Sequence, residues 1–223
     1  MFFPQKITSI RPQDKVLEIG PGSFPHSRSD AFLELNFNSS QDKVSQRGAV
    51  IADPNFGKRP VHYYDGAEFP FDNNDFDYVI CSHVIEHVAD PVKFLSEVFR
   101  VGTGRGYIEY PLITYEYLYD FDVHLHFVKF NFEQRVLMYL PKRETRLPEF
   151  SPISSLFNKT LVCGWDDLCT GNKTLFFEGF EFNQPFAVEK ISRFERLVPP
   201  DSLIVPKRTV RRFLGRVVNK LGI

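Results

Sequence analysis

The segment Val16-Leu-Glu-Ile-Gly-Pro-Gly22 constrains this chain more than any other. A short apolar run that stops at paired glycines reads as a buried strand entering a tight loop. Glycines at the end of a parallel strand let a ligand approach the backbone, because no Cβ stands in the way. Glu18, just before the loop, can meet a cation or an amine. Glu34, at the end of the next apolar run, can hold ribose hydroxyls. Pro25 stands where a dinucleotide fingerprint has its third glycine, which disfavours a pyrophosphate ligand.

Four further strands are read at residues 31–37, 61–64, 76–81 and 106–111. Between the last two, Val92, Phe94, Leu95, Val98 and Phe99 fall on helical spacing behind Asp90-Pro91, a cap followed by proline in the first turn. Strands alternating with helical or loop crossovers predict an α/β fold, Rossmann-like, with a mostly parallel sheet. Only twelve residues separate Gly22 from Glu34, against the ~20 of a dinucleotide fold. The first crossover is therefore expected to be a bare loop. After Pro111 the alternation is lost. Residues 123–140 predict a hairpin around Asn131-Phe-Glu133, 141–174 read as irregular, and 175–198 return to strand-like aromatic alternation.

The last segment has its own chemistry. From Pro206 to Ile223 stand six of the 27 basic residues and none of the 28 acidic ones, leaving the rest of the chain at a net −7. Val210, Phe213, Leu214, Val217, Val218 and Leu221 share one helix face. A basic amphipathic tail helix is expected, lying either on an anionic membrane surface or on the acidic body of its own chain. That acidic body argues against a nucleic-acid partner. Three cysteines, Cys81, Cys163 and Cys169, cannot all pair, and no apolar run reaches the ~18 residues of a spanning helix. A cytoplasmic setting follows as the expectation, with peripheral contact at the inner membrane face if the tail binds lipid.

Val16-Leu-Glu-Ile-Gly-Pro-Gly22, Asp65-Gly-Ala-Glu-Phe-Pro-Phe71 and Asp75-Phe-Asp-Tyr-Val-Ile-Cys-Ser-His-Val-Ile-Glu-His-Val-Ala-Asp-Pro91 occur in that order. Together they resemble a class I S-adenosylmethionine-dependent methyltransferase of the methyltransferase-11 type. The run Arg100-Val-Gly-Thr-Gly-Arg-Gly-Tyr-Ile-Glu-Tyr-Pro111, with His124 beyond it, is similar to a bacterial subgroup with a shortened first crossover. The resemblance covers about residues 14–140. It implies that Glu18, Gly20 and Gly22 hold the methionine part of S-adenosylmethionine and that Glu34 binds its ribose. It places Asp65, Gly66 and Ala67 against the adenine, and Cys81, Ser82 and His83 under the sulfonium. On this reading residues 1–198 are one methyltransferase domain. Its cofactor-binding core is 1–111, its substrate-side insertion and closing strands are 112–198, and 199–223 form a linker and the tail.

Such a cofactor brings an activated methyl group, so the protein has to align, desolvate and deprotonate an acceptor. Histidine titrates in the useful range. His83, at the end of the fourth strand, and His124, beyond the fifth, are the expected catalytic residues, with Glu109 a weaker alternative. Glu86-His87 reads as fixing the loop ahead of Asp90-Pro91. Asp72 through Asp77 reads as turn chemistry. His124-Leu-His126 hints at a metal, but no third ligand stands at supporting spacing, so none is expected. The resembling subgroup tends towards sugar and glycan pathways, which implies O-methylation of a small-molecule or glycan acceptor. An RNA- or protein-directed enzyme and a non-catalytic cofactor-binding regulator are the alternatives.

Overall fold

The computed structural model describes residues 1–37, 39, 54–161, 169 and 171–199. The tail of 206–223 and Cys163 lie outside the described residues. Cys81 and Cys169 are buried.

Five short strands run parallel in the order β3-β2-β1-β4-β5, where β1 is Val16–Ile19, β2 Ala31–Leu35, β3 Val61–Tyr64, β4 Tyr78–Ser82 and β5 Gly106–Pro111. The register sets Ile19 beside Leu33 and Cys81, and Ser82 beside Glu109. All five carboxyl ends therefore open on one edge, the place where doubly wound sheets bind ligands. As the sequence predicted, no helix joins β1 to β2: residues 20–30 are turns and loop.

Period-two alternation sorts the strand residues onto two faces. Leu17, Ile19, Leu33, Val79, Cys81 and Ile108 build the main core with Phe94, Leu95 and Val98 of helix α1 (Pro91–Val101). Asp90 caps α1 by accepting from the Lys93 N–H at 3.0 Å. Val16, Tyr78, Ile80 and Tyr107 point the other way, onto Ile7 and Ile10 of the N-terminal segment. That segment takes the place of a second helical layer. Glu181 fastens it, accepting from the Thr8 and Ser9 N–H groups, their hydroxyls and the Tyr78 hydroxyl.

Beyond β5 come α2 (Ile113–Tyr119), then β6 (His126–Asn131) and β7 (Val136–Pro141) as the expected hairpin. Within 141–174 the described residues differ from the sequence reading. They hold α3 (Ser151–Leu161) and the single turn α4 (Lys173–Phe176). Pro152 falls in the first turn of α3, where no intrahelical N–H partner is lost, so it starts the helix and does not break it. β8 (Phe177–Phe182) pairs antiparallel with β5 and ends the main sheet, and β9 (Ala187–Lys190) joins β7 parallel in a separate three-stranded sheet. Among the described residues no helix is long and apolar enough to cross a membrane.

Candidate functional site

The loop after β1 is shaped by two glycines in the left-handed region, Gly20 at φ +60° and Gly22 at φ +59°. Their surroundings differ. A Cβ on Gly20 would lie 2.7 Å from Cγ2 of Val84, so this glycine makes room for the loop that follows β4. A Cβ on Gly22 would meet nothing within 4 Å. Gly22 is thus the position at which the backbone lies open to a ligand.

Glu18 turns into the short crossover. Its Oε2 accepts from the His26 N–H at 2.8 Å and the Ser29 hydroxyl at 2.7 Å, which folds residues 20–30 back onto β1. Burial raises its pKa against those hydrogen bonds. Glu34, also buried, lies at the carboxyl end of β2. Asp65 is exposed after β3 and accepts from the Ala67 N–H at 3.0 Å, closing a turn in which Gly66 takes φ +93°. Gly20, Gly22, Glu34, Asp65, Gly66 and Ala67 thus belong to three adjacent loops or strand ends on the open edge. Cys81 differs: its side chain is in the main core, and burial pushes the thiol pKa up.

At the end of β4 the chain turns through His83 at φ +56°, a strained conformation for a residue with a Cβ. The imidazole lies between two buried carboxylates. Nε2 is 2.9 Å from Glu109 Oε1, and Nδ1 is 3.3 Å from Glu86 Oε1. Burial works against its charge, but the two carboxylates prevail and push its pKa up to about 9. His83 therefore carries its proton at neutral pH. Glu109, fully buried, also accepts from the Phe2 N–H (2.6 Å), the Phe3 N–H (2.9 Å), the Tyr107 hydroxyl (2.5 Å) and the Ser82 hydroxyl (3.2 Å). Against its burial, His83 and Tyr107 hold the Glu109 pKa down at about 2. Phe2 stacks on Phe177 and meets the His83 ring edge-on.

His124 sits differently. Its Nδ1 is 2.6 Å from Oε1 of Glu116, a fully buried carboxylate on α2 whose Oε2 takes Lys142 Nζ at 3.2 Å. Lys142 also pairs with Asp120 at 2.7 Å. Nε2 of His124 is left free of that carboxylate. The ring meets His87 edge-on with centroids 4.5 Å apart. His87 in turn donates from Nδ1 to the Val123 carbonyl at 3.1 Å, and burial pushes its pKa down to about 4. The backbone carbonyl of Glu86 accepts from the Leu125 N–H at 2.7 Å, joining the turn after β4 to the segment before β6. His126 is turned away, with Nε2 on the Val88 carbonyl.

Sequence reasoning singled out His83 and His124, with Glu109 as a weaker alternative, but did not pair the two histidines with the carboxylates that govern them. Glu116 carried no signal, being one acid among tyrosines. Glu109 showed one, an acid inside an otherwise apolar strand, and it is a shared acceptor in the protein's interior.

Residues 34–109 match the family model described as "Methyltransferase domain". No curated protein matches the sequence. Three solved structures illustrate the similarity. A SAM-dependent methyltransferase from Thermotoga maritima is 20% identical over 49% of this chain and 49% of its own, with a TM-score of 0.33. One from Mesorhizobium loti is 12% identical over 76% and 90%, with a TM-score of 0.37. The YcgJ protein from Bacillus subtilis is 11% identical over 79% and 94%, with a TM-score of 0.39. The match spans about half the length of the Thermotoga chain. The family match runs from the acid ending β2 to the buried acid of β5, through the motifs at Asp65 and His83, so it covers about a third of the chain and the part of the sheet edge described above.

Proposed function

We propose that this protein binds S-adenosylmethionine on the open edge of the sheet and transfers its methyl group to an oxygen of a small-molecule or glycan acceptor. The observation that carries the reading is the Gly20-Pro21-Gly22 loop, open at Gly22 and flanked by the ends of β2 and β4. In the step, the acceptor oxygen attacks the methyl carbon in line with the sulfur from about 3 Å. The O–CH3 bond forms as the S–CH3 bond breaks, S-adenosylhomocysteine leaves, and the acceptor gives up its proton.

Of the two candidate histidines, His83 already holds a proton between its carboxylates and so serves as a fixed positive charge at the end of β4. His124, oriented by Glu116, is the one with a ring nitrogen free to act at the acceptor. Residues 112–198 supply the acceptor side. The basic tail brings the enzyme to an anionic membrane surface at the inner face of the cytoplasm, or else docks on its own acidic body. Liposome flotation with and without residues 206–223 distinguishes the two.

The deciding experiment is calorimetric titration with S-adenosylmethionine, with NADH as control. Micromolar binding of the first alone, lost in Gly22→Arg and weakened in Glu34→Ala, is the expected result. Binding followed by transfer of labelled methyl to a glycan acceptor completes the case. Binding without transfer to any acceptor favours the regulator, and no binding overturns the reading.

A further inference from the structure

Glu86, His87 and His124 were not expected to meet. Glu86 and His87 lie in the turn after β4, His124 in the segment between α2 and β6, yet one ligand atom from each lies within 4.8 Å of the others. Glu86 is fully buried, and neither of its carboxylate oxygens has a hydrogen bond. His83 Nδ1, at 3.3 Å, has the distance of an ion pair without hydrogen-bond alignment. The nearest positive neighbour of Glu86, the His83 imidazolium, is shared with Glu109 and hydrogen-bonds only that acid, so neither Glu86 oxygen is satisfied by a donor, which is costly for a buried carboxylate.

The two histidines are prepared in the manner of metal ligands. A ligating imidazole usually donates its other N–H to a carbonyl or a carboxylate, which fixes ring and tautomer. His87 gives Nδ1 to the Val123 carbonyl, and His124 rests Nδ1 on Glu116. In both rings Nε2 remains. Two imidazoles and one carboxylate form a donor set suited to a first-row transition ion, whereas Mg2+ and Ca2+ prefer all-oxygen sites.

We infer that Glu86, His87 and His124 form a binding site for a divalent first-row transition-metal ion, with Glu116 and the Val123 carbonyl orienting the two imidazoles. Three protein ligands leave coordination positions for water or another oxygen donor. The ion takes the Nε2 lone pair of His124 and so replaces the acceptor-side role proposed above for that nitrogen: in the loaded protein His124 anchors the metal and does not itself accept a proton. The sequence reading, which weighed His124-Leu-His126 and Asp72 through Asp77 and expected no metal, did not bring Glu86 and His87 beside His124. His126 points to Val88, and the missing ligands come from the turn after β4.

The test uses untagged full-length protein stripped by chelator and titrated with Zn2+ in a calorimeter, without S-adenosylmethionine. Co2+ serves as an absorbing probe and Mg2+ as the control. One Zn2+ per chain, visible Co2+ absorption and no response to Mg2+ are expected. Glu86→Gln and His87→Ala should abolish binding, Glu116→Gln should weaken it about 10–100-fold, and His62→Gln should leave it unchanged. Thermal melts of the stripped variants identify any that fail to fold, and Glu116→Gln with His124→Asn then carry the test. No stoichiometric Zn2+ binding in the wild type, or unchanged affinity in folded ligand variants, overturns the site. Cofactor titration of the stripped protein is a separate readout, so this site and the proposed methyl transfer can fail independently.

Discussion

His83 and His124 each place a ring nitrogen against a fully buried carboxylate, at 2.9 Å and 2.6 Å, yet the two pairs do different things. At His83 both ring nitrogens face acids, and the ring is packed against Phe2 and Phe177. Nothing remains to react with. At His124 the carboxylate is shared with Lys142, and the second nitrogen is left over. A histidine–carboxylate pair is therefore no signature by itself. What matters is whether the remaining nitrogen is spent.

The largest effect expected from this contrast is on stability. His83→Ala strips Glu86 and Glu109 of their nearest positive charge and should cost about 3–5 kcal/mol. His124→Ala leaves Glu116 its lysine and should cost about 1.5–3 kcal/mol, one hydrogen bond to a charged group. Guanidinium unfolding of the two variants measures both. Equal costs would break the comparison.

A second test sharpens it at the neighbouring loop. Gly20→Ala meets both the left-handed backbone penalty of about 1–2 kcal/mol and the Val84 methyl group, for which overpacking adds about 1–3 kcal/mol. Gly22→Ala meets only the first. A stability gap between them, with the larger loss of cofactor affinity falling on Gly22, would show that one glycine serves packing and the other the ligand. The smallest effect belongs to Ser82→Ala. It should cost only about 0.5–1.5 kcal/mol, because Glu109 keeps four other donors.

The strands were legible because parallel strands buried on both faces read as short apolar runs, as Val16–Ile19 and Tyr78–Ser82 do. The bare first crossover was legible from counting alone. α3 was hidden because Pro148 and Pro152 look like breakers unless the helix start is known. The meeting of Glu86 and His87 with His124 was hidden for a different reason. It depends on the left-handed turn at Asp120 (φ +40°) and on the hydrogen bond from Leu125 N–H to the Glu86 carbonyl, which brings the two loops together. Neither feature has a local sequence pattern.

The bare crossover also changes the electrostatics of the loop it follows. In a doubly wound fold the glycine loop runs into a helix, whose N-terminus behaves as roughly half a positive charge aimed at the ligand. Residues 20–30 contain no helix, so the glycine loop itself runs into no such dipole. Two buried acids, Glu18 and Glu34, stand beside that loop instead. A phosphate seated on that loop would find no helix N-terminus behind it, whereas a ligand whose reactive atom is cationic approaches the loop without that opposing field.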